Sequence, residues 1–252
     1  MIKKHDKKIL CWICLQNVAN SNEHMFKKSV LKLLYGNQFN NVFKFNKNEK
    51  PLPVQSIGSD QLTYENIICT DCNNNITSKH DKAFHLLTTK IYSSFDRLTA
   101  FGQFDISDLL NSKTPNDLIW IQLYFAKIFG CEVSQYLRNP GIKEKLNLSK
   151  IANSILNNKT SNKLSISFGF HRINLHGKVR LNSPELDCLF RKGGRTVIKA
   201  KWFFTFGNIV FAIKYSEIPE FEDSWWNPSL TSQTVNFVDF TDLYIERILN
   251  NT

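Results

Sequence analysis

Two Cys-x-x-Cys pairs constrain the fold of this chain more than any other feature of its sequence. Cys11 and Cys14 form the first pair, and Cys69 and Cys72 form the second. Each pair places two thiols on one tight turn, at a spacing that fits two corners of a zinc tetrahedron. The 54 residues between the pairs exceed the usual spacing in a zinc ribbon, so we expect an inserted segment. We predict one closed four-cysteine site for a structural Zn²⁺ ion.

The competing interpretations of the pairs are a redox site and chance spacing. A thioredoxin-like redox site needs one pair beside a βαβ pattern rather than two copies. Structural disulfides are disfavoured in the cytosol, where we expect this chain to reside. The remaining cysteines, Cys131 and Cys188, lie in apolar stretches and are predicted to be small buried side chains.

The chain offers no sign of a membrane segment. None of its 252 residues belongs to a run of about 18 consecutive apolar residues, so neither a spanning helix nor a membrane partner is expected. The basic N-terminal residues are not followed by the apolar stretch of a signal peptide. We therefore predict a cytoplasmic location.

Positive charge is concentrated near the beginning of the chain. The net charge is +10, and residues 1–50 contribute +7 of it through ten lysines and three acidic residues. Lys27, Lys28 and Lys32 fall on one predicted short helix, where they would contact the phosphates of a nucleic acid. The alternative is ordinary solubilising charge.

The residues beside the two pairs carry groups suited to hydrolysis. Glu23 offers a carboxylate for a divalent cation, and the neighbouring His24 offers an imidazole that can take a proton from water. Asn73 follows the second pair and offers an amide oxygen acceptable to Mg²⁺ or Mn²⁺. The alternatives are solvated surface positions for Glu23 and His24, and a helix N-cap for Asn73.

The order of these residues resembles the HNH endonucleases of the His-Me finger (ββα-metal) type, over about residues 8–90. The positions that match are Cys11, Cys14, Glu23, His24, Lys28, Cys69, Cys72, Asn73, Asn74, Ser78 and Asp81. The resemblance implies that His24 is the general base and that the cysteines bind zinc for structure only. It also implies that Glu23 and Asn73 hold a catalytic Mg²⁺ or Mn²⁺ ion.

Two further positions are assigned by the same resemblance. A central residue shortly before the second pair orients the base in such enzymes, and Asn66 is the candidate here. Asp81 has three readings: a third metal ligand, a group that supports the metal site, or a charge that suits the start of a helix.

We predict an α+β fold with two domains. Residues 1–104 would form the zinc-stabilised ββα-metal nuclease domain, closed by a long helix over Ser78–Ala100. Residues 115–252, in which no family is recognised, would form an α+β domain of unknown role. This second domain would have helices over Asn116–Leu137 and Ile142–Leu156, followed by a mostly antiparallel sheet.

The leading functional expectation is a metal-dependent endonuclease that hydrolyses phosphodiester bonds in DNA, with a role in defence against foreign DNA. The alternatives are an HNH-type nuclease acting on RNA and a non-catalytic zinc module that binds nucleic acid or protein. Symmetric cutting of a duplex would call for a homodimer. The C-terminal half would recognise the substrate or a regulatory protein partner.

Overall fold

The computed structural model describes residues 9–37, 39, 42–45, 52–111, 115–139, 142–143, 145–173, 179–182, 186–192, 194–220, 222–229 and 233–248. The fold is α+β, as predicted. The helices are α1 (Lys28–Tyr35), α2 (Ser78–Ser93), α3 (Phe95–Phe101), α4 (Ile106–Leu110), α5 (Pro115–Tyr136), α6 (Ser149–Leu156) and α7 (Thr241–Ile248). The strands are β1 (Ser21–His24), β2 (Val42–Phe45), β3 (Leu52–Pro53), β4 (Thr63–Ile68), β5 (Gln103–Asp105), β6 (Leu164–Phe170), β7 (Val179–Asn182), β8 (Asp187–Phe190), β9 (Val197–Phe206), β10 (Ile209–Ser216) and β11 (Thr234–Asp239). Within these residues, none of the helices has both the length and the apolar character needed to cross a membrane.

The strands are divided between a small sheet and a large one. β1 and β4 pair with each other, antiparallel. Among the described residues, the other nine strands form one sheet in the order β3-β2-β7-β9-β10-β6-β11-β5, with β8 also paired to β9. The pairs β2–β7 and β6–β11 are parallel, and the others are antiparallel. The predicted antiparallel character is therefore confirmed, but the sheet also recruits β2, β3 and β5 from the first half of the chain.

Helix α5 is the central element of the hydrophobic core. The Phe84 ring of α2 stacks on Tyr124 of α5 with centroids 3.8 Å apart, and Phe125 of α5 packs on Phe211 of β10 at 5.4 Å. Burial of such aromatic side chains supplies much of the energy of a core. One connected core runs through the described residues from Cys11 to Phe237. The two predicted domains therefore share one core and one sheet.

The first cysteine pair lies directly against α5. The Trp12 ring packs over Gly130, where an added Cβ atom would lie 2.2 Å from the ring. Only glycine allows so close an approach. Tyr64 of β4 donates a hydrogen bond of 2.7 Å to Glu132 on the same helix. These contacts join the segment with the cysteine pairs to a helix from the second half of the chain.

The predicted long helix over Ser78–Ala100 is broken in two. Ser94 leaves the helical conformation, with φ −116° and ψ 12°, and separates α2 from α3. The break directs Phe95 onto Phe170 of β6 and Phe237 of β11, with ring centroids 6.1 and 6.2 Å away. Tertiary packing therefore overrides the helical periodicity at this point.

The predicted helix over Ile142–Leu156 begins only at Ser149, as α6. Before it, Lys145 forms a β-bridge with Thr196, which holds this part of the chain extended. The Asn147 side chain then accepts a 2.9 Å hydrogen bond from the Ser149 N–H, an Asx turn that starts the helix later than its apolar pattern suggests.

Candidate functional site

The four paired cysteines converge on one point. Their sulfur atoms all lie within 4.8 Å of one another, and Cys14 Sγ is 3.9 Å from Cys69 Sγ. A tetrahedral zinc ion with Zn–S bonds of about 2.3 Å separates its sulfurs by about 3.8 Å. A disulfide would bring two sulfurs to about 2.05 Å, and all four thiols are free. The cluster could therefore hold a metal ion, and its four thiols fit zinc.

Local backbone turns present these sulfur atoms. The Leu15 N–H donates to the carbonyl of Cys11 at 2.9 Å, and Leu15 adopts a left-handed φ of 55°. At the second pair, the Cys72 N–H points at Cys69 Sγ, 3.4 Å away. Such N–H groups stabilise thiolate charge, because a hydrogen bond to the charged form favours it.

A cleft of about 540 Å³ begins where the second pair ends. Its walls come from the end of β1, the start of α1, a π-helical turn over Cys72–Ile76 and the first turns of α2. Six of the residues that line it were assigned a role from the sequence: Glu23, His24, Asn73, Asp81, Lys27 and Lys28. The structure therefore brings these six positions to one place.

Glu23 and His24 reach the cleft because they end β1. Glu23 lies opposite Tyr64 of β4, and His24 lies opposite Thr63. Neighbours on a regular strand point to opposite faces, but the strand stops at His24 and the chain turns there. Glu23 is buried, with 5% of its surface exposed, whereas His24 is partly exposed.

The environment of His24 keeps its imidazole neutral. Burial lowers the pKa of His24 to about 4, and the positive charges of Lys28 and Lys27 act in the same direction. A neutral imidazole has one nitrogen lone pair that can accept a proton. The Nδ1 atom is buried and has no hydrogen-bond partner among the described residues. His24 therefore has the protonation state that a general base requires at neutral pH.

We expect the His24 ring to show no NMR titration between about pH 5.5 and 8, whereas an ordinary histidine titrates near 6.5. Because its folded pKa lies below the unfolded value, the unfolded state binds more protons between about pH 4 and 6.5. Stability should therefore rise with pH across that window, and fall as the pH drops through it. The denatured protein provides the control. A midpoint near 6.5 in the folded protein would show that the ring is not shielded as described.

A lysine with no role predicted from the sequence lies among the oxygen atoms of the cleft. The side chain of Lys127, on α5, is 0% exposed. Its Nζ atom lies 3.0 Å from Glu23 Oε1, 3.0 Å from Asn73 Oδ1 and 3.2 Å from Asp81 Oδ1. Lys27 pairs with the second oxygen of Asp81 at 2.7 Å. Two lysines and two carboxylates thus form one network at the floor of the cleft.

Charge in this network is balanced locally. Burial disfavours the ammonium of Lys127, but Glu23 and Asp81 more than offset it, so the pKa of Lys127 is raised above its ordinary value. Burial raises the pKa of the Glu23 carboxyl, and the positive charge of Lys127 opposes that shift. Lys127 is therefore an ammonium ion at neutral pH.

The residues predicted to hold a catalytic cation do not fit one in this arrangement. Mg²⁺ needs oxygen ligands at about 2.0–2.1 Å. The oxygens of Glu23, Asn73 and Asp81 that converge here are instead bonded to the Lys127 ammonium. The Asn73 amide nitrogen donates to Ser21 Oγ at 2.9 Å, which turns the amide oxygen toward Lys127. The donor set therefore does not fit a divalent cation while Lys127 is in place.

Two predicted residues lie away from the cleft. Asn66 is exposed at an irregular point of β4 with φ 48°, where its N–H donates to Asn22 Oδ1 and its carbonyl accepts from Arg138. These backbone contacts tie Asn66 to β1 and to Arg138, just after α5, and neither of them involves His24, so the predicted role of Asn66 stays a prediction. Lys32 is exposed on α1 and is not among the described residues that line the cleft.

No family model, no curated protein and no solved structure matches this chain at a significant level. The candidate site has two adjoining parts. It consists of a four-cysteine cluster that could hold zinc and a lysine-lined cleft with a neutral imidazole. A buried lysine–carboxylate network lies at the floor of that cleft.

Proposed function

We propose that this protein is a nuclease that hydrolyses phosphodiester bonds in DNA, with His24 as the general base. The observation that carries the proposal is the position of a neutral imidazole in a cleft lined by lysines. The lysines attract a phosphate backbone, and the imidazole can take a proton from an attacking water molecule. The resemblance of this residue order to the HNH endonucleases supports the same function.

The chemistry requires both an activated water and positive charge near the phosphate. The water oxygen bonds to phosphorus, and its proton goes to His24. The bond to the sugar oxygen breaks, and that oxygen leaves with the electron pair and takes a proton from the solvent. Lys28 and Lys82, which line the cleft, supply the positive charge that stabilises the transition state. Lys27 is partly neutralised by Asp81, so it contributes less.

A structural Zn²⁺ ion in the cysteine cluster would fix this geometry. Cys72 begins the π-helical turn that carries Asn73, and Asn20 near the start of β1 accepts a 3.0 Å hydrogen bond from the N–H of Thr70. A closed four-thiolate site contributes folding energy and leaves no position for substrate. The Mg²⁺ or Mn²⁺ ion that the resemblance implies on Glu23 and Asn73 is not part of this proposal, because Lys127 is bonded to those oxygens.

The test is cleavage of supercoiled plasmid and of labelled RNA by the wild-type protein and by His24→Ala, with and without added Mg²⁺ or Mn²⁺. Nicking of plasmid by the wild type and not by the variant supports the proposal. Cleavage of RNA alone would reassign the substrate. If the wild type binds nucleic acid but cuts neither substrate, the protein is a non-catalytic binding module.

Changing Lys28 and Lys82 together to alanine should weaken binding to duplex DNA and flatten its salt dependence. Each lost phosphate contact reduces the slope of log K against log [salt] by about 0.9, so two contacts reduce it by about 1.8. The measurement is a DNA-binding titration at several salt concentrations, made in a His24→Ala background to prevent cleavage.

The matched control for that measurement removes the same charge outside the cleft. Lys159 and Lys192 are exposed and do not line the cleft in the described part of the chain. Their double alanine variant should keep the wild-type slope. If this pair changes the slope and the cleft pair does not, the DNA follows a different surface.

A further inference from the structure

Lys127 has the geometry of a bound cation rather than that of a lysine at a surface. Its Nζ atom is held by oxygens from β1, the π-helical turn and α2: one from Glu23, one from Asn73 and both carboxylate oxygens of Asp81. The resemblance assigns a divalent metal ion to Glu23 and Asn73, and a third metal ligand is one of the roles open to Asp81. The ammonium therefore lies where their oxygens converge.

The local charge leaves little reason for a second cation to bind there. The carboxyl groups of Glu23 and Asp81 are already paired with the amino groups of Lys127 and Lys27. A divalent ion would have to approach an ammonium that is already bonded to the same oxygens. Like charges this close in a region of low dielectric repel strongly.

The Lys127 ammonium also could not move away from these oxygens without losing its charged partners. It extends from α5 between Tyr124 and Cys131, which are themselves fully buried. An ammonium withdrawn from Glu23 and Asp81 would stay in this core without a partner, and such burial is strongly unfavourable. A metal ion would therefore not simply displace it.

We propose that the Lys127 ammonium is the resident cation of this centre and takes the place of a divalent metal ion. It is a positioning residue: it holds Glu23, Asn73 and Asp81 together beneath the base, and it does not contact the substrate. The catalytic role of Lys127 as a positioning residue rests on the proposed nuclease function. The proposal about cation binding is independent of that function.

The experiment measures Mn²⁺ binding to the zinc-loaded full chain by electron paramagnetic resonance, without nucleic acid. The wild type should bind no Mn²⁺ in the cleft. Lys127→Met should gain one Mn²⁺ per chain, at least about tenfold tighter than any wild-type binding, because a unit charge beside the oxygens is removed. Lys82→Met, which removes the same charge from the cleft rim, should gain none.

Two further variants keep the test decisive. Glu23→Gln/Lys127→Met removes both members of the buried pair, so it avoids an unpaired buried charge and should fold, but it should not gain the Mn²⁺ ion. A Mn²⁺ ion bound by the wild type and lost in Glu23→Gln would overturn the proposal, whether or not Lys127→Met folds. A Mn²⁺ ion that Lys127→Met gains and that Glu23→Gln/Lys127→Met keeps would also overturn the proposal.

Failure of this proposal is distinguishable from failure of the nuclease proposal. If neither the wild type nor His24→Ala cuts plasmid, the nuclease function is wrong, and the Mn²⁺ result still decides the role of Lys127. If plasmid is cut only when Mg²⁺ or Mn²⁺ is added to the zinc-loaded protein, the nuclease function holds and the resident-cation proposal fails.

Discussion

Replacing His24 by alanine is expected to lower plasmid cleavage by roughly 10²–10⁴-fold, the range for loss of a general base. The fold and the zinc content should be retained. His24 is partly exposed at the end of a four-residue strand, and its Nδ1 atom has no hydrogen-bond partner within the described residues. Initial nicking rates at equal protein concentration give the measurement, and circular dichroism and elemental analysis give the controls.

Two additional measurements separate the role of base from a structural role. Free imidazole added to His24→Ala should restore part of the activity, because it can enter the vacated space and accept the proton. His85, on α2, is a second imidazole that lines the same cleft. If His85→Ala loses as much activity as His24→Ala, or if His24→Ala keeps the wild-type rate, His24 is not the base.

Much of the site could be predicted because its residues flank the cysteine pairs. Four sulfurs at one point bring together the segments on either side of them, whatever the intervening chain does. Glu23 and His24 follow the first pair closely, and Asn73 follows the second directly. Their meeting in one cleft is thus a short-range consequence of the cluster. Asn66 does not line the cleft among the described residues, because the position of a residue in a two-stranded ladder depends on register, which motif spacing does not fix.

Lys127 could have been suspected from the sequence, but its partners could not. It interrupts the apolar run of a long helix, and a lysine in such a position is almost never fully buried unless it is paired. Its contacts with Asn73 and Asp81 span 54 and 46 residues of sequence. Helical periodicity gives the buried face of α5, but not the element that packs against it.

Sequence patterns also do not show which strands pair with each other across the predicted domain boundary. The inserted segment expected between the cysteine pairs contains the strand β2. It pairs in parallel with β7, far along the chain, and so joins the large sheet. Cys131 is buried as predicted, whereas Cys188 is only half-buried, because β8 pairs with a single strand among the described residues.

Replacing Cys69 by serine is expected to remove the zinc ion and to destabilise the whole chain. Loss of a structural metal belongs to the small class of single substitutions that cost on the order of 5 kcal/mol. For a chain of this size, that lowers the melting temperature by at least about 10 °C. Zinc per chain by elemental analysis and the melting temperature by calorimetry are the two measurements. Cys188→Ser, the same chemical change outside the cluster, should keep both values.

The effect should extend beyond the cysteine segment because that segment is part of the common core. Trp12, inside the first pair, packs on Gly130 of α5, and Cys11, Cys69 and Cys72 are all buried. Without zinc, no metal ion holds the three remaining thiols together, and α5 loses the cover that Trp12 provides. Unfolding should therefore remain one cooperative transition at a lower temperature. A variant that loses its zinc but melts at the wild-type temperature would show that the cluster does not stabilise the fold.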